Sequence, residues 1–335
     1  MTNKNTTITA ESTREFLGLV PALLGFSPQR SLVLVPFEQT RSLGALRVDL
    51  EADPATLAGT TMGLLCRVPA ATGVAAIIYT DDTAASTAIL AAEIATRADH
   101  IGLHLVESLY VAADGYGSNI TGGAPRPLPE IVTPDPLREH VAASQASEAT
   151  IPDADPSRAA AIAQALDSIE DGDLVAFVDV AEHAASTDPA ELDAHRAAVM
   201  LSGLGSPLLR DVALIQWATD PENGERALHA QLAAAIGVPV SGDIARTLWG
   251  EGARPEAARL IGGLAIAQHL APYGNDTQRP NLLAAAAWLS WALGRSTHAA
   301  IYADRALAID PEHGMAQIVA TIVSAGRLPD WAFAR

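Results

Sequence analysis

The chain has 335 residues, 49% of them apolar, with a mean hydropathy of +0.19, which is the composition of a filled core and not of a disordered chain. Its 21 basic and 39 acidic residues give a formal charge of −18, which repels phosphate backbones and anionic lipid, so neither nucleic acid nor membrane is an expected partner. Cys66 is the sole cysteine and Lys4 the sole lysine, which excludes internal disulfides, cysteine-bound zinc, Schiff-base chemistry and a phosphate-loop lysine.

The polar start lacks the apolar core of a signal peptide, so the expected location is the cytoplasm. A helix is predicted over 11–24, where Phe16, Leu19, Val20 and Leu23 recur at helical spacing and Gly25 closes the turn. The apolar run 31–36 reads as a buried strand. The alternating run 43–50 reads as its antiparallel partner, with Leu46, Val48 and Leu50 on one face and Arg47 and Asp49 on the other. Asp53-Pro54 opens a helix over 56–68, and a strand follows at 73–80. Asp82 or Thr83 is the expected cap of a helix over 84–98, and a further strand occupies 103–112. Helices between strands imply parallel pairing of the last three strands. The glycines of 114–123 make that stretch a turn region.

Beyond this the pattern is helical, with segments expected at 137–147, 156–169, 174–185, 189–202, 207–219, 222–236, 241–249, 255–270, 281–293, 297–309 and 312–325. The run 174–180 also fits a strand. The fold class is therefore α+β in two parts, a mixed α/β sheet domain followed by an all-α domain of helical hairpins. The expected divisions are a tail over 1–10, the sheet domain over 11–124, a proline-rich linker over 125–136 and the helical domain over 137–335.

Gly294, Ala299, Tyr302, Ala306, Leu307, Asp310 and Pro311 fall at the glycine, small, aromatic, small, apolar, acidic and proline positions of a helical pair. The segment 282–325 thus resembles one tetratricopeptide repeat, which implies stacking on further helices. Pro21, Leu24, Gly25, Phe26, Pro28 and Ser31 to Val33 form a second block, followed in order by Arg47 to Leu50, Tyr79-Thr80, Asp114-Gly115 with Ser118, and Arg210-Asp211. Together they resemble the actinobacterial family known as domain of unknown function 4192, across nearly the whole chain. That resemblance implies a lineage and no chemistry.

Parallel strands would bring the loops after them to one edge, where open α/β sheets bind ligands. Delivered there are Glu51, Asp53, Asp81, Asp82, Asp114 and Ser118, with Arg47 and Asp49 on the neighbouring strand face. Such carboxylates fit Mg²⁺ and, through it, binding or hydrolysis of a phosphorylated small molecule. The competing structural roles are helix caps for Asp53 and Asp82, a turn for Asp114, and an Arg47–Asp49 ion pair. No Gly-x-Ser-x-Gly segment is present, and His100 and His104, four apart, are divided by Gly102 at a helix-to-strand junction and so share no helical face. The leading expectation is a non-catalytic protein that needs no cofactor and docks a protein partner or a second copy of itself. Trp288, Trp291 and Tyr302 are the candidate partner-surface residues.

Overall fold

The computed structural model describes residues 9–50, 53–139, 141–170, 172, 175–235, 237 and 242–333. Leu32, Val33, Leu34 and Val35 are all fully buried, and this run forms the middle of β1 (Ser31–Glu38). A strand apolar on both faces belongs at the centre of a sheet. β1 accordingly lies between β3 (Leu46–Asp49) and β4 (Gly73–Tyr79), antiparallel to both. β2 (Arg41–Ser42) extends the hairpin, β5 (His104–Ala112) runs parallel to β4, and β6 (Gly115–Ser118) closes the far edge antiparallel to β5.

The expected parallel pairing of the last three strands is thus corrected to one pair, β4 with β5. β3 has the same direction but is separated from β4 by β1, because its alternating pattern suits a position covered on one face only. β6 falls within the stretch whose glycines predict a turn. Gly117 is required there by close approach: a Cβ would sit 2.4 Å from the Tyr110 hydroxyl of the paired strand.

Both faces of the sheet are covered. α2 (Pro54–Leu65) and α3 (Ala88–His100) pack Leu57, Met62, Leu90 and Ile94 on Leu32, Leu34, Val74 and Ile78. α1 (Thr13–Leu24) packs Leu17 and Val20 on Val33, Val35, Ile77 and Leu109. Each such side chain fully withdrawn from water contributes about 1.5–3 kcal/mol.

The chain divides into compact units at Ser147 and Glu148. The proline-rich stretch expected as a linker lies inside the first unit, where Arg126 bridges Tyr116 in both directions and Glu130 accepts a 2.9 Å hydrogen bond from the Tyr116 hydroxyl. The helix expected over 137–147 is reduced to α4 (Asp135–Arg138). The backbone beyond it bonds instead to the loop after α1, through Ser27 N–H to Ala142 O and Ala142 N–H to Gly25 O.

Among the described residues the regular structure of the second unit is all helical: α5 (Pro156–Leu166), α6 (Phe177–Ala185), α7 (Ala194–Leu204), α8 (Pro207–Ala218), α9 (Pro221–Ala235), α10 (Gly242–Leu248), α11 (Ala257–Leu270), α12 (Arg279–Ala292), α13 (Ser296–Ile309) and α14 (Gly314–Ser324). The ambiguous run 174–180 is helical at Val175 and, after a turn at Ala176, from Phe177 onward; Leu174 lies outside the described residues, as do Ile236 and Ser241 at two expected helix ends. α7 begins five residues later than expected. The Arg158 guanidinium binds the carbonyls of Pro189, Ala190 and Leu192 at 2.9–3.0 Å, which withholds them from a helix, and Asp193 provides the cap. α12 is buried around its whole circumference, every residue from Pro280 to Ala292 being inside. Its run of alanines admits α11 and α13 as packed neighbours.

Candidate functional site

Among the described residues, the acids singled out in the sequence do not gather into a group of three. Asp53 accepts hydrogen bonds from Ala55 and Thr56 N–H at 3.1 and 3.2 Å, capping α2, and the side-chain bond from Thr56 leads the contacts that hold its carboxyl below the usual range. Asp114 accepts the Ala84 N–H at 2.8 Å, so the turn before α3 is capped from thirty residues away and not by Asp82 or Thr83. Ser118 donates to Glu107 at 2.7 Å and accepts from Ile120 and Thr121 N–H, a local turn. Arg47 pairs with Asp49 and donates to the Ser31 hydroxyl at 2.6 Å. Glu51 lies outside the described residues.

Asp81 and Asp82 do share a cleft. It has a volume of about 420 Å³ and is lined by Leu50, Leu57, Ile78 and Leu90 together with Arg30, Thr80, Ser86 and Thr87. The cleft sits where β4 ends and α2 and α3 begin, the position anticipated for a ligand. The backbone donors at both helix starts, however, already bind the chain's own carboxylates, Asp53 and Asp114. Among the described residues no three acids, histidines or cysteines come together as a metal site would need.

The aromatic residues nominated as partner surface lie inside the second unit. Trp288 and Trp291 are buried, and their indole N–H groups donate to Leu248 O and Arg327 O at 2.9 and 2.8 Å. Tyr302 is fully buried and its hydroxyl accepts from the Gln268 amide at 2.5 Å. An indole or phenol ring with its polar atom satisfied internally acts as core.

The exposed apolar surface of this unit lies elsewhere. α9 carries Glu225, Leu228, His229 and Leu232 along one face, a single stripe at helical spacing. Val175 just before α6, Val178 and Asp179 within it, Ser206 just before α8 and Leu208 and Leu209 in its first turn complete a groove of about 600 Å³. Val175 is 72% and Leu232 52% exposed, while Leu228 and Val178 are buried beneath them. The stripe on α9 is legible as a helical face, but nothing in the sequence says which neighbour leaves it open.

A family model matches residues 14–330, from the first turn of α1 to beyond α14, and its description is Domain of unknown function (DUF4192). The chain belongs to that family. The match covers the sheet and the helices alike, so both are parts of one DUF4192 chain. No curated protein and no solved structure matches the sequence. No single helix of this DUF4192 member is long and apolar enough, among the described residues, to cross a membrane; α7 and α8 together have the length and composition, but bend by 106° between them.

Proposed function

We propose that this DUF4192 protein is a non-catalytic docking module whose helical unit receives an amphipathic helix from a partner protein. The observation that supports the reading is the groove between α6, α8 and α9, an apolar floor left open with Leu232 and Val175 at its lip. Two helix walls over an apolar floor suit a guest helix that inserts anchors at i, i+3 or i+4, and i+7. The distance from Glu225 to Leu232 along α9 is about 10 Å, which matches two turns of such a guest.

The test uses a labelled helical peptide with leucines on one face and glutamines on the other, followed by fluorescence anisotropy. Binding is expected, and Leu232→Asp should weaken it roughly tenfold through loss of apolar contact and introduction of a charge. Because Leu232 is half exposed, this change leaves the fold intact. A peptide that does not bind, or binds the variant equally well, overturns the proposal. A concentration-dependent dimer abolished by Leu232→Asp would give the groove to a second copy and overturn the choice of occupant.

A further inference from the structure

We infer that the guest helix is basic, with lysine or arginine flanking its apolar face; this rests on the docking role proposed for the groove. Asp179 on one wall and Glu225 on the other are both exposed, and neither carboxylate meets a hydrogen-bond or ion-pair partner among the described residues. Among those residues no lysine or arginine lines the groove, and its one nitrogen base is His229. Unpaired acids on opposite lips of an apolar trough repel an acidic guest and attract a cationic one, because charges at an interface rim govern approach and choice of partner more than total affinity.

The field around the groove has the same sign. Residues 148–335 contain 24 acidic and 12 basic side chains, so a cationic helix is drawn toward this unit before contact. Asp179 belongs to α6 and Glu225 to α9, two different walls of the groove, so the complementary guest carries its positive charges on both sides of its leucine stripe. The groove thereby specifies the charge pattern of its occupant as well as its apolar face.

Three peptides of equal length separate the alternatives: a leucine face flanked by lysine, by glutamine or by glutamate. The lysine peptide is expected to bind about fivefold tighter than the glutamine peptide at low salt. The difference should vanish at about 1 M salt, where the screening length falls to about 3 Å. Asp179→Asn combined with Glu225→Gln should erase the preference by bringing the lysine peptide down to the affinity of the glutamine peptide, and Leu232→Asp should weaken all three. A lysine peptide with its leucines replaced by serine should not bind, which separates groove docking from attraction to the acidic surface at large.

Equal binding of the three peptides, or a preference that survives the double substitution, overturns the basic-guest inference and leaves docking itself standing. Failure of every leucine-faced peptide overturns docking instead.

Discussion

Asp114 shows how a residue chosen for chemistry serves the fold. Its carboxylate holds the Ala84 N–H at the entry to α3, and Asp114→Ala should cost about 1 kcal/mol in a denaturant titration, as loss of a helix cap does. The loss should be the same with and without Mg²⁺; a melting temperature that Mg²⁺ raises in the parent and not in the variant would revive the metal reading. His313 titrates against the fold. Its Nδ1 accepts the Ala316 N–H at 3.2 Å, so Nε2 carries the proton and donates to Asn281 at 3.0 Å, while Arg210 donates to the same Asn281 oxygen. Burial, then the Arg210 charge, lowers the His313 pKa below its ordinary 6.5, with Asp310 and Asp211 opposing. The unfolded chain therefore takes up the proton first, and the stability present above pH 6.5 is lost as pH falls through the lower folded value. His313→Ala should lower stability by about 0.5–2 kcal/mol at neutral pH, through the lost cap, and flatten that acid-side decline. Urea midpoints on either side of the window measure both. The cap at Asp53 follows from local sequence chemistry, and the proline after it makes it plain. Asp114 acts across thirty residues, and nothing local links it to Ala84.

Elements are legible where one strong pattern rules and illegible where a distant group competes for the backbone. β1 and β4 announce themselves because they are apolar on both faces. The start of the helix expected over 189–202 shifts because Arg158 takes three carbonyls, and the helix over 137–147 is cut short because Gly25 and Ser27 take up the backbone of Ala142. Neither competitor is visible in a window of local sequence. The groove eludes reading for a related reason: α9 shows its stripe, but whether a stripe is covered depends on where α6 and α8 start. Packing between helices gives a paired prediction. A Cβ on Gly262 of α11 would lie 1.9 Å from the Ala185 carbonyl, backbone that cannot step aside, whereas one on Gly63 of α2 meets nothing within 4 Å. Gly262→Ala should destabilise by about 1–3 kcal/mol through overpacking. Gly63→Ala should stabilise by about 0.5–1 kcal/mol because the unfolded chain loses freedom. Thermal melts of the two variants should move in opposite directions.

At the scale of the molecule, the helical unit has a core of its own, drawn from residues between Ala149 and Trp331. Residues 148–335 expressed alone should therefore give a helical circular-dichroism spectrum and a single cooperative melt; a broad, non-cooperative transition would show that this core is insufficient. The two-part α+β architecture is evident from the switch between alternating and helical periodicity. The division at Ser147 is less evident, because the prolines of 125–136 look like a tether when part of that stretch pairs with β6. The fully enclosed α12 gives the helical unit an internal gauge. With every residue from Pro280 to Ala292 walled in by its own chain, the amides of that helix reach solvent only when the entire unit opens. Deuterium uptake at Ala284 to Leu289 then reports the global unfolding free energy, and uptake along α9 reports how readily the groove loosens on its own. A guest helix that seats in the groove should slow the second and leave the first as the ceiling against which it is judged.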